Sequence, residues 1–423
     1  MHSMQTPPTP TTVSQHFFDP ILQRLPTCQA TRVCLKLPDD QWFSMVLTRV
    51  LHECKSGRAF LQEYGPRLPV CPEVGSFFEA LKSKRRLRLA DEINQSLQRE
   101  LAQEKSGQLL TARILQDFEI YAGDGHWHGA AAHDPMVDEV KHATGHFYAL
   151  NLRTHGVVHL TGADKDARRH EHDMRALKRL DMEALRQKAP VGKKVIWVWD
   201  KAGISFQQWF KWKNTAGIYF ISCAKENMKL TVIGLRGFDA SDPINAGVVA
   251  DELVGTSQGV AVRRVTYQDP VSGQRFEFIT TEYSLPPGWI AFLYRLRWDI
   301  EKVFDEFKNK LSEQKSWATS STAKALQAQL LCLAHNLLLL FEQNVLRPAG
   351  VKNMAEDSRR NKRLAAAKKL VKKKALTWPK LLDCLHRCTQ HSVKFIRWLR
   401  ANFYSPTSCN EALASLRRLY AKS

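Results

Sequence analysis

Between residues 13 and 110 apolar side chains recur close to every 3.6 positions, the spacing of amphipathic helices. "DDQWFSMVLTRVLHECKSGRAFLQ" (39–62) opens with acids, and "SFFEALKSKRRLRLADEINQSLQRELAQE" (76–104) is a long amphipathic run. The period then changes. "DFEIYAG" (117–123), "HFYALNLR" (146–153) and "VVHLTGA" (157–163) are predicted strands, the last two joined by a short "THG" turn. A helix is expected over 170–187. "KKVIWVWD" (193–200) follows, an unbroken apolar run that suits a central strand covered on both faces. Helix 205–214 and strand 217–225 come next. Three strands and then alternation predict an α/β fold, a mixed sheet flanked by helices.

Residues 229–283 break the alternation with further strand-like pieces, an antiparallel β insertion. "YRLRWDIEKVFDEFKNKL" (294–311) then predicts a single helix. Leu293, Leu296, Ile300, Phe304, Phe307 and Leu311 would pack on the sheet. Tyr294, Arg297, Glu301 and Lys308 would share an arc of about 60° along its edge. A long apolar helix is expected over 320–346. Beyond it "RRNKRLAAAKKLVKKK" (359–374) has nine basic residues in sixteen and no acid.

A length of 423 residues suggests two or three domains. The pattern divides them as a helical region at 1–115, a mixed-sheet domain at 116–345 with its β insertion near 228–288, and a basic helical region at 346–423. Hydrophobic content of 44% excludes a disordered basic tail as the whole explanation of the chain. The longest apolar run, "LLCLAHNLLLLF" (330–341), is short for a membrane span and carries His335 and Asn336, so it reads as a buried helix. No signal-peptide layout opens the chain, and nine scattered cysteines fit a reducing cytosol, the expected localisation.

Charge sharpens the reading. Residues 346–423 hold 19 Lys+Arg against 4 Asp+Glu, residues 1–115 hold 15 against 11, and residues 116–345 hold 28 against 27. A neutral centre between basic flanks points to a polyanion partner held through its phosphates. Lys82, Lys84, Arg85 and Arg86 in the head, with Lys368, Lys369, Lys372 and Lys373 in the tail, are the candidate DNA contacts.

Two acids stand out within the neutral centre. Asp124 closes the first strand in "YAGDGHWHG", and Asp200 closes the fourth in "VIWVWDKAG". A carboxylate at the tip of so apolar a run is costly unless a cation or metal pairs with it. Strands one and four can lie side by side in this topology, and the helix carrying Glu301 would add a third carboxylate. Three carboxylates bind hard divalent cations such as Mg²⁺ or Mn²⁺. Two such ions can activate a water or a 3′-hydroxyl against a phosphodiester.

These residues resemble a known family. Tyr294-x2-Arg297-x3-Glu301-x6-Lys308 is similar to the signature of bacterial insertion-sequence transposases of the DDE class. The likeness covers roughly residues 117–345. It implies a ribonuclease-H-like core with a β insertion before the glutamate, and Asp124, Asp200 and Glu301 as a metal-binding triad for two Mg²⁺ or Mn²⁺ ions. It also implies that Tyr294, Arg297 and Lys308 contact phosphates. Double-stranded DNA, as element ends and target, is the implied partner of a homodimeric synaptic complex near the nucleoid, with no membrane involved. Trp298 fits the place of a tryptophan that handles a flipped base in hairpin-forming relatives; the insertion offers only Trp289, at its end. Asp305, one turn beyond Glu301, is the rival third ligand. A metal-dependent nuclease of the same fold and a non-catalytic DNA-binding relative are the alternatives.

Nine of fifteen histidines lie between 126 and 172. The spacing of His126, His128 and His133 fits no common zinc pattern, so they are expected at the surface or facing DNA. Cys384 and Cys388 near His391 read as buried thiols.

Overall fold

The computed structural model describes residues 11–33, 37–52, 56–68, 70–103, 112–163, 171–269, 272–313, 315–351, 361–362, 365, 369 and 390–421. The first five helices are α1 (Val13–Leu22), α2 (Asp39–Leu51), α3 (Gly57–Tyr64), α4 (Val74–Leu81) and α5 (Lys84–Gln103). Strands β1 (Phe118–His128), β2 (Thr144–Asn151) and β3 (Val157–Gly162) follow. Next come α6 (Asp173–Arg179), α7 (Met182–Arg186), β4 (Lys194–Val198), α8 (Phe206–Ala216) and β5 (Ile218–Cys223). The insertion supplies β6 (Leu230–Leu235), β7 (Val248–Thr256), β8 (Ala261–Gln268) and β9 (Arg275–Thr280). Helices α9 (Pro287–Leu296), α10 (Asp299–Asn309), α11 (Ser321–Phe341), α12 (Val393–Asn402) and α13 (Cys409–Ala421) close the described chain.

Two compact units form. One takes in the described residues of 1–101, 306–358 and 391–423, the other those of 102–305 and 359–390. The chain passes from the second to the first within α10.

The first unit is helical. Its centre is α11, whose residues from Leu326 to Phe341 are all buried. Phe341 meets Phe17 of α1 and Phe395 of α12 at ring distances of 6.4 and 5.9 Å. The helical segment Ser321–Leu346 is long and apolar enough to cross a membrane, yet 89% of its most apolar window is buried inside the protein. Those leucines are core. The long amphipathic run 76–104 lies in two helices, α4 and α5, separated at Lys82–Ser83.

The second unit is built on one mixed sheet of nine strands in the order β3-β2-β1-β4-β5-β9-β8-β7-β6. β1 runs parallel to β4 and β4 parallel to β5, while β1–β2 and β2–β3 are antiparallel. This is the mixed α/β class expected of a ribonuclease-H-like core. The insertion is an antiparallel meander as predicted, but it extends the core sheet: β9 pairs with β5 through Ile221↔Thr280, Ser222↔Ile279 and Cys223↔Phe278. A free edge of β5 exposes unpaired N–H and C=O groups, and β9 satisfies them. The buried run of β4 packs Trp197 and Trp199 into a core with Trp209, Trp212 and Phe220.

Candidate active site

The last parallel pair of β1 and β4 is Ala122↔Val198. Asp124 and Asp200 therefore each stand two residues beyond it, at the same end of adjacent strands. Asp124 is not at a strand tip, as expected, but inside β1, which continues to His128 against β2 with Asp124 opposite Tyr148. Only the partnership with β4 ends there. Between the two acids the Trp199 indole crosses Gly123; a Cβ there would stand 1.8 Å from the ring, so only glycine admits the crossing. Asp200 caps a short 3₁₀ turn, its Oδ1 accepting from the Ala202 N–H at 2.7 Å.

The predicted helix 294–311 is interrupted. α9 ends at Leu296, α10 starts at Asp299, and Arg297–Trp298 form a turn between them. Across this turn Arg297 still adjoins both neighbours of the expected arc, 3.9 Å from Glu301 and 6.0 Å from the Tyr294 ring centre. Apolar periodicity missed it because both pieces keep their buried faces: Leu293 and Leu296 on one, Ile300, Val303 and Phe304 on the other. Arg297 Nη1 donates to Asp124 Oδ2 at 2.7 Å and lies 3.9 Å from Glu301 Oε1. The Asp124 side chain is 14% exposed and that of Glu301 39%. Glu301 and Lys308, both on α10, fall on nearly one face about 10 Å apart by helix geometry.

Burial pushes the Asp124 carboxyl up to about 8, and the negative charges of Glu301 and Asp200 add to it. Arg297 and the Gly125 N–H, which donates to Oδ1 at 2.8 Å, oppose the rise without cancelling it. Burial also raises Tyr294, to about 12. A fourth carboxylate joins the group. Asp173, at the start of α6, accepts from Trp199 Nε1 at 2.8 Å, and its pKa is raised first by burial and in part by Asp200. Sequence reasoning missed it because an acid at a helix start reads as an ordinary N-terminal charge.

An excess of oxygen donors thus meets one guanidinium, with Asp124 largely buried and Glu301 open to solvent. Among the described residues, the ligand atoms of Asp124, Asp200 and Glu301 do not all lie within 4.8 Å of one another; Arg297 lies between the first and third. The donor chemistry fits a hard divalent cation, which would offset the burial and the neighbouring negative charge that raise Asp124.

One pH dependence follows. Between about 4 and about 8 the folded, metal-free protein keeps a proton on Asp124 that the unfolded chain has released, so this group's contribution to stability falls as pH rises through that window. The stability of wild type relative to Asp124→Asn, measured by chemical unfolding in chelator, should decline from pH 5 to pH 8. A flat difference would contradict the raised carboxyl.

Beside Arg297 lies a cavity of about 280 Å³ lined by Tyr267, Phe276, Phe278, Phe292, Tyr294 and Trp298. Trp298 is 61% exposed at its rim. The insertion's aromatic contribution here is Tyr267, Phe276 and Phe278, which sequence reasoning passed over in looking for a second tryptophan; Trp289 instead packs edge-on against Phe292. Asp305, the rival ligand, is exposed and accepts from Gln390 Nε2 at 2.5 Å.

The remaining candidates are scattered. Lys82 and Lys84 are exposed, Lys82 beside Glu79 at 2.5 Å. Arg85 and Arg86 are turned inward instead. Arg85 grips both oxygens of Asp39 at 2.6 and 2.7 Å; Arg86 is buried over the Trp42 ring and donates to the Leu37 carbonyl at 2.9 Å. Burial would raise Asp39, but the two arginines hold it below its usual range. Lys369 is exposed, whereas Lys368, Lys372, Lys373, Cys384 and Cys388 lie outside the described residues.

The expected surface histidines are largely internal. His126 stacks on Phe304 at 4.4 Å, His128 Nε2 is 2.8 Å from the Tyr148 hydroxyl, and His146 Nδ1 is 3.0 Å from His159 Nε2. Burial lowers His159 to about 4. His133 alone of the first three is exposed. Strand alternation explains the error: His126 and His128 share the face of β1 that carries Asp124, and that face is covered.

Residues 141–337 match the family model described as "Transposase DDE domain". The matched stretch includes Asp200, Tyr294, Arg297, Glu301 and Lys308; it begins after β1, so Asp124 rests on its register beside Asp200. A search of curated proteins found no match.

Proposed function

We propose that this chain, whose residues 141–337 match a transposase DDE domain, is an insertion-sequence transposase that cuts DNA at the ends of its element and joins the freed ends to target DNA. Asp124, Asp200 and Glu301 would hold Mg²⁺ or Mn²⁺, which lowers the pKa of an attacking water or hydroxyl and stabilises the leaving oxygen. The observation that carries the reading is the β1–β4 register, which sets Asp124 beside Asp200, together with the Arg297 contacts to Asp124 and Glu301.

The residues divide the labour. Water attacks an end phosphodiester, the bond from phosphorus to the 3′-oxygen breaks, and a 3′-hydroxyl and a 5′-phosphate remain. That hydroxyl then attacks a target phosphodiester and displaces a second 3′-oxygen. Arg297 would exchange its carboxylate contacts for a phosphate, for which its forked guanidinium is suited. Lys308 adds a point charge farther along the same helix, and Tyr294 offers a hydroxyl donor. The aromatic cavity beside Arg297 has the size and faces to stack an unpaired base, at about 1–3 kcal/mol per base. Two copies would bring two ends together.

Incubating the protein with Mg²⁺ and DNA bearing the inverted repeats that flank its gene tests this. Joined products are expected. Nicks without joining indicate a nuclease, and binding without cleavage a non-catalytic relative.

The basic flanks would supply sequence-independent affinity through Lys82, Lys84 and the tail. Replacing Lys368, Lys369, Lys372 and Lys373 with alanine should weaken DNA binding and flatten the plot of log affinity against log salt by up to about 3–4 in slope. An unchanged slope would remove the tail from the interface.

A further inference from the structure

Five residues beyond Glu301, α10 carries a second acid of different character. Glu306 is wholly buried in the helical unit, with His335 of α11 equally buried and His391 2% exposed. His335 Nδ1 lies 2.7 Å from Glu306 Oε1, and His391 Nδ1 lies 3.1 and 3.0 Å from Oε1 and Oε2. The His391 backbone N–H also donates to Oε2 at 2.6 Å. One donor atom from each of the three side chains lies within 4.8 Å of the others. We infer that Glu306, His335 and His391 hold a divalent transition-metal ion, Zn²⁺ by donor set, at a structural site separate from the phosphoryl-transfer centre.

The argument is one of charge and donor type. A carboxylate removed from water is costly unless positive charge stands against it. The side chains set against Glu306 are two imidazoles, and a cation held among the three donors would supply that positive charge. Two imidazole nitrogens and one carboxylate oxygen form a set that binds Zn²⁺, whereas Mg²⁺ prefers oxygen alone. The two imidazoles come from segments 29 and 85 residues away from Glu306 in sequence. An ion here would cross-link α10, α11 and the chain entering α12, adding metal-binding energy to the stability of the fold.

The test uses the untagged full-length protein, stripped with chelator and titrated with Co²⁺ as a visible probe. One equivalent should bind with the absorption of a nitrogen-containing site. Equimolar Zn²⁺ should displace it, while a hundred-fold excess of Mg²⁺ should not. Zn²⁺ should also raise Tm by several degrees. Glu301→Gln should retain the equivalent, and Glu306→Gln and His335→Gln should each lose it. If those two variants do not fold, wild type still decides. Absence of the Co²⁺ band together with a Tm indifferent to Zn²⁺ overturns the proposal and leaves a hydrogen-bonded cluster without metal. So does a band that survives in Glu306→Gln. Loss of Mg²⁺-dependent DNA cleavage bears on the carboxylates near Arg297 and leaves this result untouched.

Discussion

Glu301→Gln is expected to cut end DNA about 10²–10³-fold more slowly than wild type while binding it nearly as well, the loss seen when one preorganised electrostatic group is removed from an active site. The substitution keeps shape and removes the negative charge that a divalent cation requires. Glu301 stands in the first turn of α10 with Arg297 3.9 Å away, and its side chain is accessible enough to meet metal and substrate. Asp305 lies on the same helix but contacts Gln390, so Asp305→Asn should leave cleavage within a few-fold of wild type. Single-turnover cleavage and gel-shift binding on one DNA substrate separate the two roles. If Asp305→Asn were the inactive protein and Glu301→Gln the active one, the assignment of the third carboxylate would fall.

Arg263→Met should have the largest effect on stability. Arg263 is 1% exposed on β8 and donates to both oxygens of Asp251 on β7, each at 2.8 Å. Its remaining nitrogen donates to the carbonyls of Glu282 and Leu285 at 3.2 and 2.7 Å, tying the insertion to the chain that enters α9. Removing the guanidinium leaves Asp251 buried, with Arg236 at 3.6 Å as the remaining cation of its pairings. Breaking such a buried pair costs about 3–5 kcal/mol, and replacing both partners with apolar residues recovers much of it. Chemical unfolding of Arg263→Met and of Arg263→Met/Asp251→Leu measures both. A single variant within 1 kcal/mol of wild type would sink the claim that this pair anchors the insertion.

Much of the candidate site was legible because its signals are local. An apolar run as dense as "VIWVW" identifies a central strand, and an acid ending it demands a partner. The alternation of elements placed the first and fourth strands together, and they are neighbours in the sheet. Other features left no local mark. The break at Arg297–Trp298 falls where two helices continue one apolar rhythm, so periodicity could not reveal it. Asp173 joins the site through the Trp199 indole, and the aromatic cavity is assembled from two strands, α9 and the turn that follows it.

By itself the sequence determined the class of the fold, the acid that follows the buried run of β4 and the uneven basic charge, since hydrophobic period, apolar density and net charge belong to short stretches of chain. Only the tertiary structure decided which charges are free. Arg85 and Arg86 close on Asp39, 46 and 47 residues away, and Arg297 closes on Asp124, 173 residues away. Such pairings are chosen by packing and desolvation across the folded protein, not by the neighbours a residue has in sequence.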